Sequence, residues 1–190
     1  MKKEIISNYL GNVVESYKSI NQEEIISIYD VLTETVGLGG RIYICGNGGS
    51  ASTASHFQTD LNNAFSITTN SMPALCLADN LSTITAISND YSYDDVFLHQ
   101  LKFILNEKDV LITISGSGNS TNVVKAAEYA KNKGNVVVSM VGFDGGKLKE
   151  ISDYCFHVPV NNMQISEDLH LLYCHLLSTL IRDYKNIPND

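Results

Sequence analysis

No stretch of the 190-residue chain approaches the roughly 18 consecutive apolar residues that a bilayer-spanning helix requires. The opening segment "MKKEIISNYLGNVVESYKSI" likewise mixes charge into its turns where a signal peptide would carry an apolar block. Together these absences lead to the expectation of a cytoplasmic protein with no membrane partner. C-x-x-C pairs are missing too. Cys45, Cys76, Cys155 and Cys174 are widely scattered, most of them in apolar strand-like runs, which is the setting of buried free thiols and not of a disulfide framework. Positive charge is scarce, with 13 Lys and Arg against 21 Asp and Glu and a formal net charge of -8. That balance argues against a nucleic-acid surface, and an anionic ligand would need a local site. Between Tyr43 and Leu61, "YICGNGGSASTASHFQTDL", there is no Lys or Arg at all. Internal repeats, low-complexity tracts and interdomain linkers are also absent, so one ordinary domain is expected.

What is present is an alternation. Two amphipathic segments, about 2–19 and 22–36, place apolar residues at helical spacing, and Gly39-Gly40 marks a stop. Short β-rich runs follow at "RIYIC" 41–45, "PALCL" 73–77, "DVLITI" 109–114, "NVVVSMV" 135–141 and "CFHVP" 155–159, separated mostly by helical patterns. Such alternation predicts an α/β fold whose parallel sheet is covered by helices on both faces. The segment 80–105 reads as two helices broken near Asn89-Asp90, and 166–184 as a long helix opened by Ser166 as its N-cap.

In a doubly wound sheet ligands bind beyond the carboxyl ends of the strands, which directs attention to two strand-to-helix turns. Gly46-Asn47-Gly48-Gly49-Ser50 follows the first strand and "SGSGNS", Ser115 to Ser120, follows the third. Glycine lets backbone amides approach an anion, serine hydroxyls donate, and the helix N-terminus adds its dipole, so a phosphate can be held without lysine. Neither turn satisfies G-x-x-x-x-G-K-[ST] or G-x-G-x-x-G with a ribose-binding acid, so no nucleotide or redox cofactor is expected. One such turn alone would be read as a tight turn; two at equivalent strand ends favour an anion site. A third, "GFDGGKL" 142–148, lacks serine and reads as structural.

Helix 51–63 carries His56 and Asp60 at i and i+4, on one face. On the last helix Glu167, His170 and Cys174 share one stripe, while Asp168 and His175 fall on a neighbouring one, and periodicity does not choose between them. Histidines with carboxylates suit a general acid–base pair or a zinc site with an open position. His99 and His157 have no nearby constellation and read as structural.

The segments "CGNGGSASTASHF", "STITAISNDYSYDDVFLHQL", "DVLITISGSGNSTNVVKAAEYAK" and "DLHLLYCHLL" occur in an order that resembles the bacterial phosphoheptose isomerases, the sedoheptulose 7-phosphate isomerase branch of the sugar isomerase (SIS) fold, over essentially the whole chain. The resemblance implies a single SIS domain over 1–190, a three-layer doubly wound fold with a five-stranded parallel sheet. Residues 1–38 would form N-terminal helices used in oligomer packing and 41–185 the α/β core. It implies conversion of sedoheptulose 7-phosphate to a glycero-manno-heptose 7-phosphate for surface-polysaccharide heptose, by a homotetramer with intersubunit sites. Carried over by position, Asn47, Gly48, Gly49, Ser50, Asn89, Asp90, Ser115, Gly116, Ser117, Ser120 and Glu167 would bind the substrate, with the phosphate at the serine-rich loop. Zn²⁺, one per site, would be held by His56, Asp60, Glu167 and His175, and Asp60, Glu167 and His175 would be the catalytic groups.

Three positions depart from that pattern. Asp60 stands where the family usually has glutamate, which draws the carboxylate back by roughly 1.5 Å on an unmoved backbone. Glu167 stands where it has glutamine, and Gly116 where it generally has threonine. These departures keep two alternatives open: a non-catalytic SIS module that binds a sugar phosphate or a protein partner, in the manner of a replication regulator, and an isomerase of a different sugar phosphate.

Overall fold

The computed structural model describes residues 1–18 and 20–184; residues 19 and 185, at the edges of the expected first helix and core, lie outside the described residues with 186–190. Two helices, α1 (Lys2–Lys18) and α2 (Gln22–Gly37), lead into the alternating core. It runs β1 (Ile42–Gly46), α3 (Gly49–Thr69), β2 (Ala74–Cys76), α4 (Leu81–Asp90), a 3-10 turn (Tyr93–Asp95), α5 (Val96–Ile104), β3 (Val110–Ser115), α6 (Thr121–Asn132), β4 (Val136–Val141), α7 (Gly146–Ile151), β5 (Tyr154–His157) and α8 (Met163–Tyr184).

Among the described residues the five strands form one parallel sheet in the order β2-β1-β3-β4-β5. Every residue of β1 and β3 is buried, as a sheet covered on both faces requires. Strand alternation divides the core. Ile42, Ile44, Ile112, Ile114 and Met140 face α2, α3 and α8, whereas Tyr43, Cys45, Leu111 and Val141 face α5 and α6. The order reverses between β1 and β3, where two helices leave the sheet on opposite faces and open a crevice. The four cysteines are free. No helix among the described residues is long and apolar enough to cross a membrane.

Two helix starts differ from the sequence expectation. α3 begins at Gly49, so Gly49 and Ser50 belong to its first turn and not to the loop before it. α8 begins at Met163, three residues before Ser166: Asn162 accepts a hydrogen bond from Ile165 N–H through Oδ1 at 3.2 Å and serves as the cap, while the buried Ser166 hydroxyl donates back to Asn162 O at 3.0 Å.

The earlier start settles which stripe of α8 faces inward. His170 and Cys174 are fully buried against the sheet, with the His170 ring beside Phe156. Among the described residues neither His170 ring nitrogen has a partner in good hydrogen-bond geometry. Burial lowers the imidazole from 6.5 to about 4, with the Val141 backbone pulling weakly the other way. Below the unfolded value the unfolded chain takes up a proton that the folded chain refuses. Stability therefore falls as pH drops from 6.5 towards about 4 and then levels off, a loss of about 3 kcal/mol from this residue. Urea titrations at about pH 7.5 and about pH 4.5 should find that His170→Leu removes most of that difference; an unchanged pH dependence would show that His170 is not its source.

Candidate active site

The crevice at the strand reversal is lined by Asn47, Gly48, Gly49 and Ser50 from the β1 end, by Ile114, Ser115, Gly116, Ser117 and Ser120 from the β3 end, and by Met163 and Glu167 from α8, around about 240 Å³. It gathers nine of the eleven residues expected to bind substrate. Ser120 occupies the N-cap position of α6 without capping it; its hydroxyl lies 3.5 Å from that of Ser115. Gly118 N–H donates to Ser115 Oγ at 3.2 Å and Asn119 N–H to Ser117 Oγ at 3.2 Å. The loop is thus a cradle of hydroxyls and amides at the positive end of a helix dipole, suited to a phosphate.

Asn89 and Asp90, the other two, end α4 as an exposed pair bonded to each other at 2.9 Å and do not line the cradle. In their place Tyr93 of the following 3-10 turn reaches in, its hydroxyl donating to Asn47 Oδ1 at 2.8 Å. Asn122, buried in the first turn of α6, exchanges a reciprocal pair of hydrogen bonds with Asn47, at 2.8 and 2.9 Å. The network fixes the orientation of the Asn47 amide and leaves its second N–H for the crevice. Sequence reading missed both residues. The available signal was a polar residue two places into an apolar-faced helix that directly follows the serine loop.

The second cluster lies further along α3. His56 Nε2 and His175 Nε2 stand 3.0 Å apart, and Asp60 Oδ2 is 3.3 Å from the first and 3.8 Å from the second. One ligand atom from each, all within 4.8 Å of one another, makes a site for a metal ion. Two imidazoles and one carboxylate are the donor set of a catalytic zinc site with an open position. At 3.0 Å one Nε2 donates to the other, the roles set by the ring tautomers, and a bound cation would take the place of that proton. Asp60, despite its shorter side chain, reaches both histidines.

Within the chain Glu167 does not join them, so three of the expected four ligands come together here. It stands eight residues before His175 on the same helix, roughly 12 Å along its axis. Its carboxylate instead packs on the first residue of α3: a Cβ added at Gly49 would meet Glu167 Oε2 at 2.6 Å. A carboxylate there sits at a helix N-terminus, where the dipole favours it. Asp168 is exposed and accepts a hydrogen bond from the Tyr9 hydroxyl of α1. His99 lies against the rings of Tyr91 and Phe103, tilted to both, and His157 bonds Phe143 O at 2.9 Å and Lys149 at 3.1 Å; neither belongs to the cluster. Burial pushes the thiols of Cys45, Cys76, Cys155 and Cys174 upward, so none offers a thiolate nucleophile.

Residues 7–142 match the SIS domain family. The chain belongs to that family. Its sequence is 40% identical over 181 residues to a phosphoheptose isomerase of Helicobacter pylori (strain Shi470), covering 95% of this chain and 93% of that one. It is 37% identical over 183 residues to the phosphoheptose isomerase of Aliarcobacter butzleri, covering 95% and 97%. Among solved structures, phosphoheptose isomerase GmhA from Neisseria gonorrhoeae superposes with a TM-score of 0.89 at 28% identity, covering 96% of this chain and all of the other. The phosphoheptose isomerase of Francisella tularensis gives 0.89 and 28%, with 96% and 99% covered. In this SIS domain the cradle lies at the strand reversal and the histidine–carboxylate cluster between α3 and α8.

Asn122→Ala should lower stability by about 2 kcal/mol in a urea titration, since it removes a reciprocal pair and strands the Asn47 amide, and Tyr93→Phe by about 1 kcal/mol. A change below about 0.5 kcal/mol for Asn122→Ala would mean that the pair does not form in solution.

Proposed function

We propose that the protein is a ketose–aldose isomerase that converts sedoheptulose 7-phosphate to D-glycero-D-manno-heptose 7-phosphate through an enediol, serving surface-polysaccharide heptose synthesis in the cytoplasm. The observation that carries this reading is the presence in one chain of a lysine-free phosphate cradle and of a paired-histidine and carboxylate cluster. The names of the relatives support the substrate.

Ser115, Ser117 and Ser120 anchor the phosphate, and the Glu167 carboxylate, already seated at the α3 terminus, repels it from that second positive end. Asn47, held by Tyr93 and Asn122, orients the sugar hydroxyls, and Glu167 accepts from those that reach the cradle. Asp60 and His175 move the protons: one takes a proton from C1 as the carbonyl oxygen at C2 gains one, giving the enediol, and then C2 is protonated as the C1 hydroxyl yields its own. Electrons stay within the substrate, and no co-reactant is consumed. Zn²⁺ bound by His56, Asp60 and His175 would act as a Lewis acid towards the carbonyl oxygen. The half-exposed histidines and the exposed apolar residues of α1, Ile5, Ile6, Leu10 and Val14, support a homotetramer in which a neighbouring subunit closes each site. A module that only binds sugar phosphates has no use for the paired histidines and Asp60, which favours the enzyme.

Purified protein incubated with sedoheptulose 7-phosphate and followed by ³¹P NMR should form the aldose phosphate, faster with zinc than with a chelator. Asp60→Asn and His175→Ala should each cost on the order of 100- to 10,000-fold in kcat while circular dichroism is unchanged. Zinc titration by calorimetry should find one ion per wild-type chain and none in His56→Ala. Near-wild-type turnover in both acid–base variants would remove Asp60 and His175 from the mechanism.

A further inference from the structure

Gly116 lies in the middle of the serine loop, and the space a side chain would take there is already filled. A Cβ added at Gly116 would stand 2.2 Å from Met163 Sδ and 3.2 Å from its Cε. Met163 comes from the first turn of α8, on the face that also carries Glu167 one turn later. Its thioether therefore supplies part of the cradle wall that residue 116 leaves out. Behind that wall is a second cavity of about 570 Å³, partly apolar, lined by Phe143, Pro159, Asp144 and Asn161. Ser117 and Met163 border both spaces, so Met163 is a partition between the phosphate cradle and the groove.

We propose that Met163 makes the cradle selective for phosphate monoesters, by closing the one side of the serine loop through which a second ester group on the phosphorus would pass into the Phe143–Pro159 groove. The inference rests on the phosphate lying at the serine loop, as in the reading above. The loop alone discriminates only in part: a monoester offers its donors three terminal oxygens and up to two charges, a diester two oxygens and one charge, and hydroxyls and amides donate to either. Steric closure adds to that difference. A methionine does this adaptably, with three rotatable bonds and no hydrogen bond to lose, and glycine at 116 is what lets it lie against the loop backbone. The groove offers an aromatic ring and a proline to an alkyl or aryl ester, so opening the partition should expose a favourable surface and not only empty space.

The test compares binding of sedoheptulose 7-phosphate and of its phenyl phosphodiester by calorimetry, in wild type, Met163→Ala, Gly116→Ala and the double variant. Wild type should take the monoester and reject the diester, and Met163→Ala should shift the ratio of the two affinities towards the diester by about tenfold or more. Gly116→Ala, whose new methyl group collides with Sδ, should weaken monoester binding, and adding Met163→Ala should restore it, a non-additivity that a merely structural role would not give. If Gly116→Ala does not fold, the affinity ratio in Met163→Ala still decides. Monoester binding retained in both proteins with an unchanged ratio would overturn the partition and leave the proposed function standing. Failure of wild type to bind sedoheptulose 7-phosphate at all would overturn both.

Discussion

The insertion of the first turns of α8 into the gap between two strand-end loops is the contact on which the rest of the site depends. Glu167 lies on Gly49 and Met163 lies beside Gly116, each in space that a side chain on the opposing glycine would claim. These two contacts set both the height and the rotation of α8. A slip of one residue would turn the helix by about 100°, carrying His175 off the cluster and swinging His170 and Cys174 out of the core. With the register fixed, His175 stands opposite His56 and Asp60 on the neighbouring α3. The cradle and the histidine–carboxylate cluster are therefore two ends of one pairing of helices.

The second constraint is electrostatic. A chain with a formal charge of -8 offers, at the strand reversal, a cradle suited to an anion whose donors are neutral and include no Lys or Arg. Neutral donors act over short range and demand good aim, so their supports have to be stiff. That is the part played by the buried Asn122 and by Tyr93, which hold the Asn47 amide in one orientation. The same economy of charge gives Glu167 its influence: one carboxylate at the mouth of α3 removes one of two possible anion positions and leaves the serine loop.

Much of this was legible in the residues. Five strands fell within one or two residues of their expected limits, the inner three because buried parallel strands write themselves as unbroken apolar runs between glycine-rich turns. The cradle was legible because glycine and serine at two equivalent strand ends have few other uses. What was not legible depends on through-space packing. Within the chain Glu167 lines the cradle, since eight residues of helix hold it roughly 12 Å from His175 along the axis, and a residue carried over by resemblance has no distance attached to it. Asn162, not Ser166, caps α8, a choice between two good capping residues that only the sheet's contact with His170 and Cys174 decides. Met163 read as an ordinary apolar helix residue, since nothing local to it says that a glycine 47 positions earlier vacates its place.

The central claim is that Asp60 and His175 carry protons between adjacent carbons of a phosphorylated ketose. It is tested most directly by running the isomerisation in D₂O and reading the product by ¹H and ²H NMR. Both groups are open enough to solvent to exchange their protons, so the account predicts one deuterium at C2 of the aldose phosphate. A product formed at full rate with no deuterium at C2, the C1 hydrogen having migrated intact, would contradict it.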